Sequence, residues 1–316
     1  NAMKAIGIMR YGGPEVLEII DVEEVNAGHE EIRIKNFAST VNPTDIVARS
    51  GMIAKFRKDD PVFPSVPGMD VAGIVDQIGE AVSADIKIGD RVMGMVIPNG
   101  NHGAYREQLI LNQSAVVLAP KNSSHEEAST LPMNSLTARL SLDLLNLKSG
   151  QIIAVTGGPG AYGGYVIQLA KADGLIVIAD SSDSDESLLK DLGADIIISR
   201  EKSFVDQIRE HFPDGVDGLA DGALLNEKAI DAVKDGGSFT SIRGFKGSPQ
   251  RDIKFSSTWV TAYNCNYEKL DKIRQQVEDG LVTLRVADTV DPENAAEAHK
   301  RLEGGGTRGR MVIKWS

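Results

Sequence analysis

The chain has 316 residues, 41% of them hydrophobic and 25% charged, with a formal net charge of −11. That length accommodates two domains with their own cores, and the acidic balance argues against nucleic acid and anionic membrane surfaces as partners. No apolar run reaches the 18 residues of a membrane span. The single cysteine, Cys265, excludes an internal disulfide and a multi-cysteine zinc site and points to a reducing cytoplasm.

Up to about residue 125 the chain reads as short strands, "KAIGIMRY", "LEIIDVEEV", "EEIRIKNFAST", "DVAGIVDQIG", "DRVMGMV", "AYREQLIL" and "AVVLAP". Gly, Pro, Asn and Asp clusters separate them, as in a barrel-type β unit. "SSHEEASTLPMNSLTARLSLDLLNL" then takes helical spacing, with Ser124 and Glu127 at capping-box positions. Beyond it, Val- and Ile-rich runs ("QIIAVTG", "LIVIAD", "DIIIS", "GSFTSI") alternate with amphipathic segments, among them "FVDQIREHF" and "NEKAIDAVKDG". Runs with so little polar alternation predict a parallel sheet covered by helices on both faces, an α/β fold. After about residue 265 come a helix, a strand, a second helix and a final strand, "RMVIKW", which is expected to return to the first domain. The expected division is residues 1–124 with 266–316 as one domain and 125–265 as a nucleotide-binding domain. Trp259, Trp315 and Cys265 read as packing residues.

Residues 156–164, "TGGPGAYGG", follow an apolar strand and open a helix-period segment near Tyr162. Gly158, Gly160 and Gly163 make a G-x-G-x-x-G pattern, which in this context suits close backbone approach to a pyrophosphate at a helix N-terminus. The cofactor-binding candidates here are Gly158, Gly160, Ala161, Tyr162 and Gly163. Some twenty residues on, Asp180 ends the next apolar run, followed by Ser181 and Ser182, which either hold the ribose or phosphate or are merely solvated loop serines. A carboxylate there accepts both adenosine ribose hydroxyls and repels a 2′-phosphate. The alternative, an acidic solvated loop in which Asp180 caps a turn, stays open.

Several ordered segments resemble the quinone oxidoreductase (zeta-crystallin-like) branch of the zinc-independent medium-chain dehydrogenase/reductases. "ASTVNPTDIVARSG", "VPGMDVAGIVDQIGEAV" and "IKIGDRVMG" are similar to its N-P-x-D, P-G-x-D-x-A-G-x-V and G-D-R-V segments. "LPMNSLTARLSLDLLNLKSGQIIAVTGGPGAYGGYVIQLAK" is similar to its interdomain helix and glycine loop, and "NAAEAHKRLEGGGTRGRMVIKW" to its C-terminal helix and strand.

The resemblance implies a GroES-like β-barrel domain and a Rossmann domain with the cofactor in the cleft between them. It also implies NADPH-linked reduction of quinones or α,β-unsaturated carbonyls by a homodimer. Asn42 and Met69–Asp70 stand where zinc-dependent relatives carry Cys and His-Glu, so hydride transfer without a metal is expected. The branch often has Tyr where this chain has Val47. NADPH users place a small residue and then a lysine near the Asp180 position, so the family favours NADPH whereas Asp180 favours NADH. Arg200 falls where some members have a Tyr against the adenosine, and it could supply positive charge there.

By the same resemblance Asn42 donates to a substrate carbonyl or holds the nicotinamide ribose; an Asn before Pro is also a common turn former. Thr137 is a candidate for the nicotinamide, or back-bonds its own helix. Arg310 either closes over the cofactor or is an exposed strand-edge residue. Two other readings remain: an NAD-linked alcohol dehydrogenase, and a cofactor-binding structural or sensory protein without turnover.

Overall fold

The computed structural model describes residues 2–56, 60–83 and 85–315. In chain order the strands are β1 (Ala2–Gly7), β2 (Glu18–Glu23), β3 (Glu31–Thr40), β4 (Asp70–Ile78), β5 (Arg91–Met95), β6 (Gln108–Asn112), β7 (Val116–Leu118), β8 (Ile152–Thr156), β9 (Ile176–Ser181), β10 (Ile196–Ser199), β11 (Val216–Asp221), β12 (Val233–Ser241), β13 (Lys254–Ser257), β14 (Val286–Val290) and β15 (Arg310–Lys314). The helices are α1 (Pro43–Ser50), α2 (His125–Ser129), α3 (Pro132–Leu145), α4 (Ala161–Ala172), α5 (Glu186–Leu192), α6 (Phe204–His211), α7 (Glu227–Ile230), α8 (Tyr267–Glu278) and α9 (Ala295–Glu303). No helix among the described residues is long and apolar enough to cross a membrane.

The backbone forms two compact units, residues 1–133, 264–278 and 284–316, and residues 134–263 with 279–283. The first holds a sheet in the order β14-β15-β3-β4-β5-β7, with β6 also on β3, and a separate β1–β2 pair. The last strand lies in this sheet: Val312, Ile313 and Lys314 pair antiparallel with Thr40, Ser39 and Ala38 of β3. Ile32, Ile34, Val71, Val92 and Leu109 form one of its cores. Expectation and structure differ at Leu131, where the single helical pattern splits into α2 and α3. Pro132 disfavours helical geometry in the residue before it and opens a new helix itself. The capping box of Ser124 and Glu127 is present at the start of α2.

The second unit is a six-stranded sheet in the order β10-β9-β8-β11-β12-β13, parallel throughout. Burial on both faces explains the Val/Ile runs: Val177, Ile178 and Ala179 of β9 have no exposed surface. "NEKAIDAVKDG" is helical only over α7; Val233 is buried and already starts β12.

Two glycines of the loop are dictated by geometry. Gly157 has φ +74°, where a side chain is strained. A Cβ on Gly163 would lie 2.2 Å from the Gly157 carbonyl oxygen, so this turn of α4 packs against the loop only because no side chain intervenes. At Gly160 the nearest atom would be 3.3 Å away. Gly163→Ala is therefore expected to destabilise the fold by about 1–3 kcal/mol through overpacking, outweighing the ~1 kcal/mol helix-propensity gain. Gly160→Ala should cost clearly less; equal denaturant midpoints for the two variants would contradict the packing described.

Candidate functional site

Each unit carries a cluster of buried polar side chains. In the parallel unit, β8 ends at Thr156, and the glycine loop delivers the chain to α4 with Gly160 as N-cap. The first N–H groups of a helix have no partner four residues back and carry the positive end of its dipole. Such an N-terminus suits a phosphate; the Gly160 N–H donates to the Gly157 carbonyl at 3.1 Å. Tyr162 does not point there: its ring is buried and its phenol shares a 2.7 Å hydrogen bond with Ser141, which is linked in turn to Thr258. Thr137 lies half-buried in the second turn of α3.

Asp180, at the end of β9, is 5% exposed. Its Oδ1 is buried without a hydrogen-bond partner. Its Oδ2 is 3.8 Å from Nε of the half-exposed Arg200. Burial raises the carboxyl above its usual range, against the opposing Arg200 charge. An orphaned buried acceptor is costly, and a ribose hydroxyl would satisfy it, so these residues fit a dinucleotide. Ser181 and Ser182 are engaged locally: Ser181 Oγ donates to the Ser182 carbonyl, and Ser182 Oγ reaches Asp185.

The other cluster surrounds α1. Asn42 caps it in a capping box with Asp45, and Pro43 occupies the first helical position, where no N–H is needed. Asn42 has no exposed surface. Its Nδ2 donates to Asp70 Oδ2 at 2.8 Å, and Asp70 Oδ1 accepts the Met133 N–H at 2.7 Å. Asp45 accepts the Asn42 N–H at 2.8 Å, the Gly68 N–H at 3.0 Å and the Tyr105 hydroxyl at 3.2 Å. Beyond Tyr105 lie His299 and Arg49, and Arg49 is paired with Glu303. Arg310 is half-buried at the start of β15, and its charge acts on both carboxyls. An exposed strand-edge position is thus overturned.

Of the expected site residues, the structure brings Gly158, Gly160 and Gly163 together and sets Asp180 beside Arg200. Asn42 is tied to Asp70 within the first unit. The sequence reading missed Asp45, Tyr105 and His299. The N-x-x-D spacing of a capping box signalled Asp45, whereas nothing local marks His299 as a partner of Tyr105. Two packing expectations are corrected: Cys265 is exposed with φ 58°, and Trp259 is 57% exposed, one ring edge lying over Gly244. Trp315 is buried as expected.

Residues 28–121 match the family described as the alcohol dehydrogenase GroES-like domain, and residues 192–313 the family described as zinc-binding dehydrogenase. The chain is 34% identical to a 2-methylene-furan-3-one reductase of Solanum lycopersicum, over 99% of this chain and 79% of the relative. It belongs to the quinone oxidoreductase branch of the medium-chain dehydrogenase/reductase superfamily. A chloroplastic NADPH-dependent alkenal/one oxidoreductase of Arabidopsis thaliana is 31% identical, over 98% of this chain and 79% of its own. The solved structure of a quinone oxidoreductase from Coxiella burnetii superposes with a TM-score of 0.87 at 28% identity, each chain covered completely. The mixed fold, a GroES-like barrel domain and a doubly wound parallel sheet, is that of this superfamily.

Burial lifts Asp45 from 3.8 to about 6 and Asp70 from 3.8 to about 7. Each binds its proton more tightly folded than unfolded, so its stabilising contribution is full below 3.8 and disappears as pH rises to about 7. Thermal unfolding across that window should show a flatter profile for Asp70→Asn than for the parent. Parallel profiles would contradict the buried ionisable group.

Proposed function

We propose that the chain is an NAD(P)H-dependent reductase of α,β-unsaturated carbonyls or quinones. The observation carrying this is the pairing of the glycine loop with the orphaned Asp180 oxygen in a chain akin to reductases named for furanone and alkenal/one substrates. In this reading Gly157, Gly158, Gly160 and the first turn of α4 hold the pyrophosphate, and Asp180 accepts the adenosine ribose. The dinucleotide, when bound, supplies a hydride. Thr137 and the amide of Asn42 are assigned to the nicotinamide end and the substrate oxygen, where a fixed donor stabilises developing negative charge.

The reduction is proposed to proceed without zinc, because Asn42 and Met69 supply no ligand set and no cluster of three His, Cys, Asp or Glu side chains suited to a metal occurs among the described residues. The barrel domain as substrate domain, the Rossmann domain as cofactor domain, a homodimeric assembly and a cytoplasmic location belong to the same proposal. Their support is the resemblance and the single cysteine.

The buried Asp180 favours NADH, since a 2′-phosphate would meet a carboxylate removed from water. Fluorescence titration of the parent should give tighter binding for NADH than for NADPH, and Asp180→Ala should narrow or reverse the difference. Tighter NADPH binding by the parent would transfer that end of the site to Arg200, whose half-exposed guanidinium then reads the phosphate. Failure to bind either nucleotide would overturn the reductase reading.

A further inference from the structure

Beside the C-terminal half of α1 the barrel unit holds a cavity of about 70 Å³, with Tyr11, Ala48, Ile53, Ala54, Pro67 and Pro98 among its walls. Tyr11 is fixed there from several sides. Its ring meets Phe63 edge to face, centroids 5.2 Å apart at 67°. A Cβ on Gly51, the left-handed residue that ends α1, would lie 2.9 Å from the ring, so the ring rests on that glycine's backbone. The following residue, Gly12, is bonded to Arg49 of α1 in both directions. Its N–H donates to the Arg49 carbonyl at 3.2 Å, and Arg49 Nε donates to its carbonyl at 3.1 Å.

The wall formed by Ser65, Val66 and Pro67 has its backbone polar groups paired. Ser65 exchanges two bonds with Ile8, at 2.9 and 3.0 Å. The Val66 N–H donates to the Gly100 carbonyl at 2.9 Å, and the Pro67 carbonyl accepts the Tyr105 N–H at 3.0 Å. Polar side chains are few: the Tyr11 hydroxyl, Ser65 and Asn99. Apolar walls with a small number of polar groups are those of a small-molecule site. The neighbouring chain is apolar too. Met9, Met52 and Val62 are each more than half exposed, and each lies within two residues of Tyr11, Ile53 or Phe63. Removing such side chains from water favours an apolar occupant.

We propose that this cavity is a subsite for the hydrocarbon chain of the substrate, with the Tyr11 ring as the wall that sets chain-length preference. The inference rests on the proposed reductase function and deepens it, naming the substrate class as acyclic enones that carry an unbranched alkyl chain. The walls come from α1 and from the run into β4, the two segments that also carry Asn42, Asp45 and Asp70. At the roughly 10–15 Å³ that one water-sized group needs, the cavity takes about five carbon-sized groups. Tyr11 acts through its ring and has no part in the hydride transfer itself.

Steady-state reduction of the 3-alken-2-ones from 3-penten-2-one to 3-nonen-2-one tests this, with the nucleotide the parent binds more tightly, on the parent, Tyr11→Ala, Tyr11→Phe and Ala48→Leu. The readout is the slope of kcat/KM against chain length. In the parent kcat/KM should rise about two- to fourfold per added methylene. Ala48→Leu fills the cavity and Tyr11→Ala removes its wall, so both should flatten the rise, whereas Tyr11→Phe keeps the ring and the rise with it. A flat parent series, a rise that survives Ala48→Leu or Tyr11→Ala, or a rise lost in Tyr11→Phe overturns the inference. The parent with nucleotide bound and a carbon-13 label on the Ile53 δ1 methyl gives a readout without substitutions. At concentrations that inhibit turnover, 2-nonanone should shift that resonance and 2-pentanone should not; a resonance unmoved by 2-nonanone overturns the inference. A parent that binds nucleotide but reduces no member of the series refutes the reductase reading and the inference with it, whereas a series reduced with a flat profile refutes the inference alone.

Discussion

Two carboxyl groups out of reach of water, Asp45 and Asp70, set the constraint around which the barrel unit is arranged. An ionised carboxylate in that setting costs several kcal/mol unless donors replace its hydration. Three donors converge on Asp45 and two on Asp70. They come from the α1 cap, the segment before β4, Tyr105 and the start of α3, and the Arg310 charge acts on both carboxyls from β15. The last strand, which carries Arg310, returns beside β3.

The parallel unit meets a comparable problem where its strand order reverses, between β8 and β11. Ligands of such sheets bind beyond the carboxyl ends of the strands at this switch point. Here Thr156 and Asp221 close the two strand ends with a 2.7 Å hydrogen bond, and Asp221 also takes the Leu225 and Asn226 N–H groups. This leaves the glycine loop rigidly based while its own backbone approaches closely at Gly163. Among the described residues of this unit, Asp180 Oδ1 and Asn226 Oδ1 are buried without a hydrogen-bond partner. An unsatisfied buried acceptor bears a local cost.

Local signals made much of this legible in the sequence. Uninterrupted Val/Ile runs announced the parallel sheet, and the strand–glycine–helix succession announced the turn from β8 into α4. Ser124 and Glu127 announced the start of α2. The split at Leu131 was also readable, since Pro132 stood in plain view within the helical pattern. What escaped was long-range: His299 meets Tyr105 across 194 positions, and no periodicity links them. Arg310 looked like a surface residue because alternation along β15 cannot reveal that its neighbours are two buried acids. Exposed Trp259 and Cys265 show the converse, residue types usually buried placed at the surface, Cys265 in a turn.

Hydride transfer to an electron-poor carbon is the chemistry to which the loop, Asp180 and the Asn42 cluster are all assigned. Its most direct test is incubation of the protein with NADH or NADPH deuterated on either face of C4 and cyclohexenone, followed by mass and NMR analysis of the product. The account predicts saturated ketone carrying one deuterium at the β-carbon from one of the two labelled faces. Deuterium left in the dinucleotide from both faces, with no saturated ketone formed, would contradict it.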